Sequence, residues 1–471
     1  MAELTTDASL QAPATAGAGP GLGLRALFSA SIGVIVAQVG MVSMMQGVGI
    51  GGWGFFVALC AAFAIAMSNA LAYAEMALLL PSRGSLSTYA EAALGNFPAI
   101  LLVFAGYITP AMFGLPAELI LADQILTQAL PIGLPPFTWP LALIVLFAVL
   151  NMLGSDVFAR VQTALSFTVL GFLVVTGVVA ISGHAAAPAL AASAPAAPAM
   201  AQATVTLGLV ALAFWVFVGS EFVTPLVTEA RNPSRDLPRA MIVGLLAIFA
   251  AEIVFGVGAG LLIPRDKLAS SPTPHLDYAV AVFGPSAQVW FAGLALLASA
   301  SLVNTVLASV PRMLSGMADN GQVFPIFKLH HPRRKTPVAA IVFVAALPVV
   351  GLVWSGGDPG SILPLTIAAS VAWLLAYIMA QVSLIVLRRR YPQRPRPFKV
   401  PGHPLVPVLA IAGMVFVVST SSPAPEMTGQ IVRYTGFVLA LFAVVGAAWV
   451  KLVMKKGLFE PSLPAGMEDG P

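Results

Sequence analysis

The sequence predicts an all-α membrane protein of twelve transmembrane helices, set out as two oppositely directed groups of five and a final pair. Three observations predict it. The 471 residues are 59% hydrophobic and only 9% charged, with a mean hydropathy of +0.93, far more apolar surface than one soluble core needs. Twelve apolar stretches each approach the roughly 20 residues that a helix needs to cross the hydrocarbon. With twelve spans the loops also sort by charge. All but three of the 23 basic residues, namely Arg265, Lys267 and Arg433, then fall on one side, which the positive-inside rule makes the cytoplasm. Both termini are therefore expected to be cytoplasmic, in a multi-pass protein of the plasma membrane or bacterial inner membrane.

Taken in order, residues 1–24 are rich in Ala, Gly, Thr and Pro and lack a basic n-region, so they read as a disordered cytoplasmic tail and not a signal peptide. Apolar segments at 25–47, 52–80, 97–128, 137–155 and 157–182 form a first repeat, 25–182. An Ala/Pro connector, 183–203, follows on the outside. Segments at 204–228, 239–263, 285–312, 337–353 and 360–389 form a second repeat, 204–389. Residues 390–454 hold the peripheral helices, 404–423 and 430–454, and 455–471 are a short cytoplasmic tail. Five is odd, so the two repeats must point in opposite directions.

Composition excludes several functions. The sequence pI of about 9.3 comes from topology-setting loops, not an aromatic-interleaved basic surface, so no nucleic-acid partner is expected. The run Arg388-Arg389-Arg390 is read in the same way, with contact to membrane lipid headgroups as a further role. Cys60 is the only cysteine, and His184, His275, His330, His331 and His403 all lie in loops. No disulfide framework, metal site, cofactor or enzymatic constellation is expected. A non-transporting sensor, the rival from another class, would need an output domain that the short tail does not supply.

The sixth segment directs attention to function. It holds Gly219, Ser220 and Glu221 in its middle and Pro225 four residues on. A carboxylate at membrane depth is costly and should face protein or water. Gly and Pro there weaken a backbone ladder that lipid cannot repair. The first segment is likewise interrupted around Gly33, Gln38, Gly40 and Ser43. Paired interruptions in two inverted halves point to a solute site at the midplane. Half-helix N-termini there suit a carboxylate, and C-termini suit an ammonium group.

Three motifs then resemble the amino acid-polyamine-organocation (APC) transporter family. They are Tyr73-Ala-Glu75-Met76 with Pro81-Ser-Arg-Gly84 and Tyr89, then Phe214-Trp-Val-Phe-Val-Gly-Ser-Glu221 running into Glu229-Ala-Arg-Asn-Pro233, and Arg312-Met-Leu-Ser-Gly-Met-Ala-Asp-Asn-Gly321 with Phe324-Pro325. The resemblance implies a leucine-transporter-like fold of ten core helices in two inverted five-helix repeats plus two peripheral helices. It also implies secondary transport of an amino acid or small amine by alternating access. Carried over by position, the first-span break falls on Ala37-Gln38-Val39 and Gly40, with Ser43 beyond it. The usual two glycines are missing. That loss limits backbone approach to a solute carboxylate and brings in the Gln38 amide. A polyamine or ethanolamine substrate would relieve the problem.

In the sixth span the resemblance assigns Phe214, Trp215, Phe217, Val218 and Gly219 to substrate binding, with Trp215 covering the substrate and Phe214, Phe217 and Val218 read as packing side chains that expose their carbonyls, and Glu221 to proton coupling. The proton is the expected coupling ion. Sodium, through the cluster Ser299, Ser301, Asn304 and Thr305, is the second choice. A fifth-span lysine that replaces sodium in some relatives has no counterpart near Thr168 and Val169. Glu252 is read as a neutral, hydrogen-bonded acid in the seventh span. Glu75, Glu229, Arg231 and Arg235 fix helix ends, and Tyr107 and Trp373 are read first as interface anchors.

Overall fold

A computed structural model describes residues 21–190, 206–420 and 425–463. Among these residues the protein is helical, with no strand. Nine helices are long and apolar enough to cross a membrane: Trp53–Leu79, Asn96–Ala129, Ser155–Ile181, Thr206–Glu229, Pro233–Leu262, Ala287–Asp319, Val338–Ser355, Pro364–Arg390 and Ile431–Met454. The remaining three predicted segments are shorter or divided. Thr138–Met152 and Leu405–Ser419 are apolar helices of 15 residues each, about 22 Å long. The first is split into Leu24–Ile32 and Gln38–Gly51.

The first and sixth spans run antiparallel. At one face, Leu22 N–H donates to Glu229 O at 2.7 Å and Arg231 N–H to Leu22 O at 3.0 Å, so the start of one span meets the end of the other. At the opposite face the first span ends where the sixth begins: a Cβ on Gly51 would lie 2.5 Å from Leu209 Cδ1. Residues 21–23, assigned to the tail by sequence, are therefore seated against the sixth span. The rest of that tail, residues 191–203 of the connector and the chain from 464 lie outside the described residues.

The three motifs converge at the face where Leu22 meets Glu229. Ser85 Oγ and Thr224 Oγ1 share a hydrogen bond of 2.6 Å. The Arg312 guanidinium pairs with Glu229 at 2.8 Å and donates to Ser155 Oγ at 2.8 Å. A Cβ on Gly316 would collide with Gly84 N, so the eighth span and the Pro81–Gly84 turn touch backbone to backbone. Sequence places Arg312 at a helix end, but it lies well inside Ala287–Asp319, 5% exposed. Its carboxylate partner offsets the cost of burying the guanidinium there. The motifs thus build the closure of one face.

Arg388, read from sequence as a topology signal, has a specific partner. Glu75 is fully buried near the end of Trp53–Leu79 and accepts from Arg388 Nε at 2.8 Å, Arg388 Nη2 at 2.5 Å and Val400 N–H at 2.6 Å, with Arg396 Nε at 3.2 Å. This ties the second span to the end of the tenth and to the following loop. Glu75→Ala leaves two guanidiniums facing each other without a counter-charge, an expected loss of about 3–5 kcal/mol. Thermal unfolding of purified protein in detergent checks this. The midpoint should fall for Glu75→Ala and hold for Arg389→Ala, whose side chain is exposed; an unchanged midpoint for Glu75→Ala removes the assignment.

Candidate functional site

The two breaks face each other. In the first span residues 33–37 leave the helix, and the chain re-enters it at Gln38 after Ala37 in an extended conformation (φ −72°, ψ 157°). In the sixth, Val210–Trp215 ends, residues 216–219 turn, and a tight 3-10 segment, Ser220–Glu229, continues. Gly219 has φ +122°, a conformation that L side chains rarely adopt, and a Cβ there would lie 2.6 Å from Val34. Glycine is required for both reasons. Gly40 and Ser43, expected in the break, lie inside Gln38–Gly51. The interruption sits on Gly33 to Ala37 instead, because Gln38 and Val39 already have helix-capping partners.

Those partners come from the third span. Glu118 is fully buried. Its Oε1 accepts from Gln38 N–H at 2.9 Å and its Oε2 from Val39 N–H at 2.9 Å. Ser299 Oγ donates to Oε1 at 2.5 Å and accepts from Gln38 Nε2 at 2.6 Å. A carboxylate at a half-helix N-terminus satisfies orphan donors and complements the helix dipole. In the third span the winding loosens to a π-turn at Phe104–Ile108, and Glu118 follows Pro116.

Between the breaks lies a cavity of about 30 Å³, bounded by Ala37 and Val39 of the first span, Trp215 and Val218 of the sixth, and Tyr107 and Glu118 of the third. That is room for about two water molecules. Four rings form one wall: Trp215 meets Trp373 edge-on (centroids 6.2 Å), Trp373 meets Phe222 (5.6 Å), and Phe222 meets Tyr107 (5.1 Å). Tyr107 and Trp373 are therefore buried cavity walls, not interface anchors. Their neighbours are other rings and not headgroups, which sequence position does not reveal. The side chains of Phe214 and Phe217 pack against Tyr377 and against Phe63 with Phe249.

Glu221 is fully buried one ring behind the cavity. Trp373 Nε1–H donates to its Oε1 at 3.1 Å, and its Oε2 makes no hydrogen bond among the described residues. Glu252 is also buried with one oxygen unsatisfied, away from the cavity lining.

An amide engages part of the eighth-span cluster, Ser301 and Asn304, while Thr305 Oγ1 has no partner among the described residues. Gln162 Nε2 donates to Ser301 Oγ at 2.7 Å and Ser166 Oγ at 2.9 Å. Ser301 donates to Gly33 O at 2.9 Å, Ser166 to Ser29 O at 3.0 Å, and Asn304 Nδ2 to Gln162 Oε1 at 2.8 Å. Ser299 is drawn away to Glu118. The fifth span thus contributes Gln162, more than a turn before the positions where a lysine would stand.

The face opposite the motifs is covered by two helices after the seventh span, Arg265–Ser270 and Pro274–Phe283. Arg265 caps the first span's last carbonyls, Gly49 O at 3.2 Å and Ile50 O at 2.9 Å. His275, correctly placed outside the spans, reaches back through Nε2 to Gln38 Oε1 at 3.3 Å. Burial lowers its pKa to about 4, against an upward pull from Asp277, so the ring is neutral near neutral pH.

Sequence reasoning missed Glu118, although the signal was present: an acid inside the third apolar segment, open to the argument applied to Glu221.

The amino acid permease family model matches residues 22–449. The branched-chain amino acid permease BcaP of Bacillus subtilis is 27% identical over 84% of this chain and 87% of its own length. A probable polyamine transporter of Arabidopsis thaliana is 24% identical over 84% of this chain and 79% of its own. Two solved structures share the fold. A mutant of the Eremococcus coleocola manganese transporter has TM-score 0.58 and 14% identity, covering 90% of this chain and 95% of that one. MHP1, a nucleobase-cation-symport-1 family transporter, has TM-score 0.55 and 17% identity, covering 93% and 94%. With its interrupted first and sixth helices, its inverted pairing and a family match across nearly its whole length, this chain belongs to the amino acid permease family of APC transporters.

Proposed function

We propose that the chain is a secondary active transporter carrying a small amine-bearing solute, an amino acid or related amine, by alternating access through the cavity between the two breaks. One observation carries the reading: two antiparallel interrupted helices meet across a buried, aromatic-walled space that contains a carboxylate. The named relatives, an amino acid permease and a probable polyamine transporter, support the solute class. Each face is closed by a different set of contacts, Arg312–Glu229 and Ser85–Thr224 on one side and the Arg265–Phe283 helices on the other. Releasing one set at a time is the structural requirement of alternation. In this reading residues 25–182 and 204–389 are the inverted repeats, 390–454 is peripheral, all twelve segments cross, and the motif-bearing face is cytoplasmic.

The coupling ion in this reading is the proton, carried by Glu221. A buried carboxylate with one free oxygen beside a solute wall accepts a proton without rearranging its neighbours. Sodium is disfavoured because the Gln162 amide occupies Ser301, whose hydroxyl holds Gly33 O, and Ser299 is bound to Glu118, leaving only Thr305 Oγ1 of the predicted hydroxyls without a partner among the described residues. A second reading, a polyamine or ethanolamine carrier, is favoured by Glu118 at the first-span break.

Proteoliposomes test both halves. Uptake driven by an inward proton gradient should be abolished or made independent of pH in Glu221→Gln, with the thermal midpoint retained; an unchanged pH profile removes Glu221 from coupling. Exchanging sodium for choline should leave the rate as it was, and a sodium-dependent rate would show that the Gln162 network opens to admit a cation.

A further inference from the structure

Building on the carrier reading, we propose that Glu118 is a resident carboxylate standing where a solute's own carboxylate would bind, so that the transported solute is an amine without a carboxylate. The argument begins with donor bookkeeping at the half-helix Gln38–Gly51. A helix start offers four backbone N–H groups without partners in their own helix. Here all four are taken. Gln38 and Val39 donate to the two oxygens of Glu118, and Gly40 and Met41 donate to Ala37 O at 3.1 and 3.4 Å. No first-turn donor remains for an anionic ligand.

Charge points the same way. Every hydrogen-bond partner of Glu118 is a donor: two amides and the Ser299 hydroxyl, itself held by the Gln38 side chain. An ionised carboxylate accepts at both oxygens and donates at neither. Among the residues lining the cavity Glu118 is the only Asp or Glu, and none is Lys, Arg or His. A solute carboxylate would meet a fixed like charge in a space with no cation to offset it, and like charges brought together across an interface cost several powers of ten in affinity. An ammonium group meets the opposite situation. It finds a carboxylate on one side and the rings of Trp215, Trp373 and Tyr107 on the other, the surroundings that attract an organic cation. The half-helices Leu24–Ile32 and Val210–Trp215 end beside the same space, with the negative ends of their dipoles directed toward it.

The missing first-span glycines fit this assignment. Glycine there lets the backbone approach a ligand carboxylate, whereas a side-chain carboxylate from the third span reaches amides flanked by Ala37 and Val39 without that room.

The test uses pairs that differ by one carboxylate: ethanolamine against serine, 3-methylbutylamine against leucine, and cadaverine against lysine. Uptake of each radiolabelled compound is measured with full-length protein in liposomes. In the wild type the amine of at least one pair should be taken up with about a hundredfold or greater advantage in apparent affinity over its amino acid. Glu118→Gln should erase that advantage. Glu118→Ala, which frees the Gln38 and Val39 amides, should gain uptake of the matching amino acid, an outcome that misfolding cannot mimic. If Glu118→Ala fails to fold, judged by its thermal midpoint, the wild-type preference and Glu118→Gln decide. Amino acids preferred by the wild type would overturn the assignment of Glu118 and leave the carrier reading standing. Folded wild-type protein that takes up neither member of any pair would overturn both.

Discussion

Everything at the centre of this protein follows from the need to satisfy backbone groups where two helices stop inside the membrane. Lipid offers neither donors nor acceptors, so each broken turn must find partners in the protein. At the first break the partners are side chains from three other spans: Glu118 from the third, Gln162 with Ser166 from the fifth, and Ser299 with Ser301 from the eighth. At the sixth, Gly219 makes the turn and packs against Val34 of the first. The cavity is what remains when these requirements have been met, and its chemistry is inherited from the groups that meet them.

The same logic separates the parts of the family pattern by role. The motif residues meet at one face, where Gly316 presses on Gly84, Arg312 pairs with Glu229 and Ser85 bonds Thr224. These contacts join the second, fifth, sixth and eighth spans at that face. The cavity walls divide: Trp215 and Val218 belong to the second motif, whereas Tyr107, Glu118 and Trp373 lie outside all three. The family pattern thus covers only part of the lining.

That separation explains what is legible in the sequence. The spans, their opposed directions and the break at Gly219 follow from local properties: apolar length, charge in loops, and a glycine beside a proline in an apolar run. The site depends on which helix faces which, and single-sequence patterning does not carry that. Trp215 and Val218 reach the cavity, whereas Phe214 and Phe217, one residue to either side of the pair Trp215 and Val216, turn to other rings. Glycine and serine weaken helices, which puts Gly40 and Ser43 in the expected break, but a capping carboxylate eighty residues away lets the helix begin at Gln38. The Gln162 amide leaves no mark in a pattern read for a cation.

The third helix carries one more consequence. Its loosened turn at Phe104–Ile108 accommodates a surplus residue, and each residue in an α-helix advances the azimuth by about 100°. The side chains beyond that turn owe their bearing to it. Rewound as a regular helix, the segment would swing Glu118 roughly a quarter-turn around its axis, away from the amides of Gln38 and Val39. A local irregularity in winding, a few turns upstream, thereby sets the polarity of the cavity, because it fixes which side chains of the third helix face inward.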